Sequence, residues 1–296
     1  MSPRIAFIGF GEAGQAMAAG LREDGVVDIA AWDILFPDAA GAKLIEAAKA
    51  SGVRVASSAA DAVRNAEIVI AAVTAASSSK AAQSVAGKLD GKPLYLDVNS
   101  VSPGRKQATA KILGDGARYV DVAIVSAIHP ARHKSPMMLA GPHATEAEPV
   151  LAALSMKTQV VGDAVGAAAA IKMIRSVMIK GIEALTLECF LAAARAGVDV
   201  DVVASLRNNY PGIDWTKMSE YNIERMASHG IRRAAEMREV ADTLRELGVE
   251  PLMTAGTIAR QQQLGEIGRL PYIREAVAKG RSEMLAAIDG ASPERR

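Results

Sequence analysis

The chain has 296 residues, half of them hydrophobic and 23% charged, a composition that gives a globular protein room for two separate cores. A net charge of +1 argues against a nucleic-acid or membrane-surface role, because either partner selects a basic excess. Cys189 is the only cysteine, which excludes an internal disulfide and a cysteine-based metal site.

The first apolar run, Ile5–Ile8, leads into Gly9-Phe10-Gly11-Glu12-Ala13-Gly14, a GxGxxG, and a helical stretch from Ala13 to Glu23 follows. A strand must turn abruptly into a helix here. Only glycine lets the backbone approach a pyrophosphate while helix and strand still pack. The helix N-terminus offers amide donors and a positive dipole end. Asp33 closes a second apolar run, Asp28–Trp32, nineteen residues after Gly14, where a carboxylate accepts hydrogen bonds from a ribose. Strand, helix and acid together predict a dinucleotide site formed by Gly9, Phe10, Gly11, Glu12, Ala13, Gly14 and Asp33. No Arg or Lys follows in Ile34-Leu35-Phe36 to meet a 2′-phosphate, so NAD is the expected cofactor and NADP the alternative.

Further strands are expected at Ile68–Val73, Leu94–Val98, Tyr119–Val125 and Met137–Ala140, with a last one near Gln159–Val161. Helices are expected at Ala39–Ser51, Ala75–Leu89, Pro103–Leu113 and Thr145–Leu154. Such alternation predicts a doubly wound parallel sheet of Rossmann type with helices on both faces, over residues 1–162. The longest apolar run, Ile68 to Ala76, is too short to span a bilayer. The first strand begins by Arg4, so no signal peptide is expected, and the protein is expected to be cytoplasmic. Val73 and Thr74, ending the strand from Ile68, are assigned to the cofactor.

Asp97-Val98-Asn99-Ser100-Val101-Ser102-Pro103 follows a strand at the carboxyl edge, where open α/β sheets bind ligands. Ser102 before Pro103 reads as a helix N-cap, which leaves Asn99 and Ser100 for cofactor or substrate. Asp121 to Pro130 leaves the next strand at the same edge. Arg132, His133 and Lys134 then cluster, and they read equally well as an anionic-substrate contact or as a solvated loop. His143 reads as a surface residue.

From Gly162 onward the chain reads as all-helical over 163–296, opening with one long helix from Ala164 to Ala196. Gly197 is its expected C-cap and Asp199 the cap of the next helix. Breaks are expected at Tyr210-Pro211-Gly212, His229-Gly230, Gly248 to Pro251 and Gly268 to Pro271, and the tail from Ser292 is expected to fray. At 100° per residue, Lys172, Arg175, Ser176, Lys180 and Glu183 of the long helix share an arc of about 140°. Met173, Ile174, Val177, Met178, Ala184 and Leu185 fill the other side, and Cys189 is expected in the core. The stripe is read as one side of a ligand cleft at the domain joint. His229 with Arg232, Arg233 and Glu236 reads as a salt-bridged face or subunit contact, since no second His or Cys makes it a metal site.

These motifs together resemble the β-hydroxyacid dehydrogenases, which include 3-hydroxyisobutyrate and 6-phosphogluconate dehydrogenases. Asp97 to Pro103 is similar to the family's D-x-S-T-x-x-P segment, and Asp121 to Ala127 to its D-A-P-V-S-G-G segment. Gly166 to Ser176 resembles its G-x-x-x-K-x-x-N-N motif. The resemblance covers residues 4 to 200 and implies that Lys172 is the catalytic lysine and that Ser126 helps hold a substrate carboxylate; Arg175, Ser176 and Lys180 of the polar stripe are read as further substrate contacts. It also implies a homodimer formed through the helical domain. Four departures stand out: Arg175-Ser176 stands where the family has Asn-Asn or His-Asn, Ser126 lies five residues after Asp121 instead of four, Ala127-Ile128 replaces the diglycine, and Ile179 stands where the 6-phosphogluconate enzymes carry an acid. Residues 208–268 resemble a C-terminal domain of poorly characterised members. The expected activity is hydride transfer between a nicotinamide cofactor and a small-molecule β-hydroxy acid, with Lys172 as general acid/base. The rivals are an imine or ketimine reductase on the same scaffold and a non-catalytic dinucleotide sensor. Imine-reducing relatives commonly replace the lysine, so Lys172 favours the dehydrogenase.

Overall fold

The computed structural model describes residues 2–291, and the chain divides into two compact units, one up to Lys172 and one from Met173. In chain order the first unit holds β1 (Ile5–Ile8), α1 (Glu12–Glu23), β2 (Ile29–Trp32), α2 (Ala42–Ala50), β3 (Arg54–Val55) and α3 (Ala59–Val63). It continues through β4 (Ile68–Ala71), α4 (Ser78–Val85), β5 (Leu94–Asp97), α5 (Pro103–Leu113), β6 (Arg118–Ile124), β7 (Met137–Ala140), α6 (Ala144–Ala152) and β8 (Thr158–Gly162). The long helix α7 (Ala167–Ala196) follows, then α8 (Asp199–Asn209), α9 (Trp215–Glu246), α10 (Leu252–Ile267), α11 (Pro271–Val277) and α12 (Arg281–Ala291). The boundary between the units falls inside α7. No described helix is long and apolar enough to cross a membrane.

The eight strands form one sheet in the order β3-β2-β1-β4-β5-β6-β7-β8. Its central strands are buried on both faces, and the alternation of side chains sorts them into two cores. Ile5, Phe7, Ile68, Ile70, Leu94 and Leu96 pack with Met17 and Leu21 of α1 on one face. Ala6, Ile8, Val69, Ala71 and Tyr95 pack with α3, α4 and Leu113 of α5 on the other. The sheet is mixed, whereas a wholly parallel one was expected. β7 runs antiparallel to β6 because the connection between them contains only a short 3₁₀ turn, Arg132–Lys134, and a parallel return needs a full crossover. β8 then pairs parallel to β7 across α6. The two-residue β3 and five-residue α3 carry too little periodicity to be read from sequence.

The helical unit packs Leu187 and Phe190 of α7 with Ile223 and Met226 of α9, Leu264 of α10 and Ile288 of α12. The expected break at His229-Gly230 is absent: α9 runs unbroken from Trp215 to Glu246. Gly230 is there for contact, since a Cβ on it would lie 2.3 Å from the Gln261 carbonyl oxygen and 2.7 Å from Gly265 Cα. Close approach of α10 outweighs the ~1 kcal/mol that glycine costs a helix interior. A break that was not expected comes at Gly280, with φ +109°, between α11 and α12. Asp199 does not cap α8 either. Val198 holds the cap position, and the Asp199 carboxylate accepts from Arg281 Nη2 at 2.8 Å. Cys189, expected in the core, is exposed. The tail from Ser292 lies outside the described residues.

Candidate active site

Each glycine of the first turn has its own geometric reason. Gly9 has φ +93°, and a Cβ there would sit 2.4 Å from the Ala72 carbonyl oxygen. A Cβ on Gly14 would meet the Gly9 oxygen at 2.6 Å, so α1 could not pack this close to β1. Around Gly11 a Cβ would meet nothing within 4 Å. Gly11 also stands at the N-cap of α1, where no side chain caps the helix. The first-turn amides, which lack intrahelical partners, therefore border open space and suit an anion. Asp33 ends β2 and fixes this turn: Oδ2 accepts from the Phe10 N–H at 2.7 Å and Oδ1 from the Leu35 N–H at 3.0 Å. Glu12 is exposed in the first turn of α1, and Ala13 is half-buried.

The carboxyl edge of the sheet is braced from below by buried charge. Asp97 and Asp121 pair in register at the level where β5 ends, and both are fully buried. Lys106 of α5, 1% exposed, reaches between them: its Nζ lies 3.2 Å from Asp97 Oδ1 and 3.2 Å from Asp121 Oδ1. It also donates to the carbonyl oxygens of Asp97 and Val122. Tyr119 donates its hydroxyl to Asp97 Oδ2 at 2.8 Å, and burial together with the Asp97 charge pushes the Tyr119 phenol well above its ordinary pKa. Asp121 Oδ2 accepts from the N–H groups of Gly166 and Ala169 at 3.1 Å each, anchoring the start of α7 with a negative charge at its positive dipole end. Gly166 has φ +102°, and a Cβ there would come within 3.0 Å of the Pro103 Cβ. One lysine thus ties together the end of β5, the middle of β6 and the helix that carries Lys172.

Asp97 extends this support into the following loop, accepting from the Asn99 N–H at 3.0 Å. Asn99 Oδ1 in turn accepts from the Val73 N–H at 2.7 Å, so Asn99 stitches the loop after β5 to the loop after β4. Thr74 donates to Ser77 Oγ at 3.2 Å. Ser102 caps α5 as expected, accepting from the Arg105 N–H. The Ser100 oxygen is buried and no described residue bonds to it, an orphaned hydroxyl just beyond the end of β5. Lys172 is half-buried, three residues beyond Ala169, or ~4.5 Å of helical rise.

Other expected residues fall elsewhere. Ser126 is exposed just beyond β6, in a loop that the buried Ser135 pins by donating to the Ala127 and Ile128 carbonyls. His129 is exposed in the same loop. Arg132, His133 and Lys134 are neither a substrate contact nor a solvated loop. Arg132 grips Glu23, His133 Nε2 lies 3.0 Å from Asp24, and Lys134 lies 2.8 Å from it, so all three bind the end of α1. Lys134 first, then His133, holds the Asp24 carboxyl down to about 2. Burial pushes the His133 imidazole below its ordinary value, and a Cβ on Gly20 would collide with its ring. His143 pairs with Glu146 at 3.3 Å.

The stripe on α7 is largely turned round. Ser176, Lys180 and Glu183 are buried, while Ile174, Met178 and Leu185 are exposed. Lys180 donates to Ser176 Oγ at 3.2 Å and pairs with Glu236 of α9 at 3.1 Å. Burial lowers its pKa and Glu236 partly restores it. Lys180 is thereby engaged by Glu236 of α9, and Ser176 by Lys180 on α7 itself. Arg175 is exposed. The functional residues that sequence reasoning missed are Lys106 and its two aspartates. Lys106 shares a stripe with Thr109 and Leu113 at i, i+3 and i+7, and two acids in buried strands, one ending β5 and one in the middle of β6, called for a cation.

A model of NADP oxidoreductases, coenzyme F420-dependent, matches residues 4–100, and a domain of unknown function (DUF1932) matches residues 193–264. A conserved hypothetical protein from Sinorhizobium meliloti 1021 is 32% identical, over 99% of this chain and 97% of its own, with a TM-score of 0.78. MTH1747, a conserved protein of unknown function described as structurally similar to 3-hydroxyacid dehydrogenases, is 30% identical over 90% of this chain and 98% of its own, with a TM-score of 0.72. The chain belongs to a β-hydroxyacid dehydrogenase-like family. The 3-hydroxyisobutyrate dehydrogenase of Mycobacterium tuberculosis shares the fold of this family, with a TM-score of 0.72 at 20% identity, over 98% of this chain and 99% of its own.

Proposed function

We propose that this chain is a nicotinamide-dependent oxidoreductase acting on a β-hydroxy acid, with Lys172 as its general acid/base. The observation that carries this reading is the anchoring of α7. Asp121 holds the helix start beside Pro103, which closes the segment that carries Asn99 and Ser100, and Lys172 follows within one turn. A dinucleotide fits the turn on three counts: the space left open at Gly11, the uncapped start of α1 and the orphaned Ser100 hydroxyl. Gly9 to Gly14 would receive its phosphates, Asp33 its ribose hydroxyls, and Val73, Thr74, Asn99 and Ser100 its nicotinamide half. When bound, it supplies the hydride acceptor. Neutral Lys172 takes the substrate hydroxyl proton onto Nζ, and in the reverse direction Nζ returns it. Ser126, exposed just beyond β6, holds the carboxylate.

The Asp33 carboxylate, followed by Ile34 and Leu35, repels a 2′-phosphate, so NAD is preferred to NADP. The test follows reduction of both cofactors with aliphatic, aromatic and polyhydroxylated β-hydroxy acids at alkaline pH. Turnover with one class, and a higher specificity constant for NAD, is expected. Cofactor binding without turnover on any acid would point to a sensor, and equal or better use of NADP would overturn the preference.

The exposed apolar side of α7, with Ile174 47%, Met178 63% and Leu185 57% accessible, supports a homodimer that covers it. A monomer mass by light scattering at micromolar concentration would refute this.

A further inference from the structure

The helical unit contains a cavity of about 530 Å³, formed where α9 meets α10 and the turn into α11, that the proposed reaction does not use. Its floor is set by glycine. Gly230 and Gly265 let α9 and α10 cross in backbone contact, and a Cβ on Gly268 would lie 2.0 Å from the Ala227 carbonyl oxygen. Ala227, Ile231 and Val277 give it an apolar side.

The rim carries three arginines and a histidine. His229 and Arg232, on adjacent positions of one α9 face, line one side, and Arg269 and Arg274, from the turn and from α11, line the other. Arg232 pairs with Glu236 at 2.7 Å, but no acidic partner is found for Arg269 or Arg274 among the described residues. The positive potential is felt by His229, whose pKa is lowered by burial and then by Arg225 and Arg232, against the opposing pull of Glu224. In a chain of net charge +1 such convergence is local rather than general. Gathering arginines at one rim, two of them with no acidic partner among the described residues, costs electrostatic free energy that a bound anion would recover.

We propose that this cavity binds a small molecule bearing a phosphoryl group, with Arg269 and Arg274 meeting the phosphoryl oxygens, Arg232 and His229 completing the shell, and Ala227, Ile231 and Val277 covering the carbon skeleton. Guanidinium forks supply the paired donors that phosphate geometry takes, and donors converging from two sides suit a tetrahedral anion better than a planar carboxylate. The site lies wholly within the helical unit and is independent of the dinucleotide turn at Gly9 to Gly14.

Inorganic pyrophosphate is the probe, titrated calorimetrically at constant ionic strength into the wild type and into an Arg269→Gln/Arg274→Gln variant. Both arginines are exposed, so the variant should keep its melting temperature, which circular dichroism checks. The expected result is saturable binding that weakens at least tenfold in the variant, while NADH binding stays unchanged. Citrate should bind at least tenfold more weakly than pyrophosphate. Absence of saturable binding would overturn the proposal, and so would equal binding by the variant, which would put the anion at the start of α1. Citrate binding as tight as pyrophosphate would overturn the choice of a phosphoryl ligand.

Discussion

The two units bury charge in different ways. In the first, a single lysine, Lys106, stands between Asp97 and Asp121, and what the cluster holds is loops: the segment of Asn99 and the start of α7. In the second, the buried charges hold helices. Glu183 of α7 receives Arg233 of α9 at 3.1 Å through Nε and Gln261 of α10 at 2.8 Å, and Lys180 reaches Glu236. Buried ion pairs are costly to desolvate in either place, and neither is evidence of stability in itself. The difference lies in what each would release if broken: the candidate site in one case, helix packing in the other.

Removing the two central cations tests this with the largest expected effect. Lys106→Met leaves two buried carboxylates facing each other, and Arg233→Met leaves Glu183 without its cation. Each should cost about 3–5 kcal/mol in denaturant unfolding. Only Lys106→Met should also weaken NADH binding, roughly tenfold, or about 1.4 kcal/mol, as read from fluorescence titration. Equal losses of affinity in both variants would erase the distinction between the clusters.

A smaller contrast lies within the glycine turn. Gly14→Ala forces a Cβ against the Gly9 oxygen and should destabilise by about 1–3 kcal/mol, as overpacking does. Gly11→Ala meets no protein atom, so its unfolding midpoint should hold while NADH affinity falls. A Gly11→Ala variant that binds NADH normally would show that nothing approaches the backbone there.

The first unit was largely legible in the sequence because strand alternation needs no knowledge of a partner. Ile5 and Phe7 face one way and Ala6 and Ile8 the other whatever lies beyond. The turn at Gly9 and the cap at Ser102 are likewise local. Strand direction at β7 was not, since it depends on what a twelve-residue connection can span. Arg132, His133 and Lys134 were ambiguous because their acids lie more than a hundred residues earlier in the chain. The helical unit was harder for the same reason. A polar stripe on α7 reads as one side of a ligand cleft until α9 is known to offer Glu236 and Arg233, and Gly230 looks like a break until α10 is found against it. Lys106 was readable in principle, because its stripe position and the two acids in buried strands both asked for a buried cation.

The central claim is that Lys172 moves the substrate proton. Its most direct test is the Lys172→Met variant, assayed with the β-hydroxy acid that the wild type turns over. The stem of methionine fills similar space without the amine. Turnover should fall at least about a hundredfold, the scale of a general acid/base, with NADH affinity and melting temperature close to wild type. Near-normal turnover in Lys172→Met would contradict the account and remove the proton transfer from this lysine.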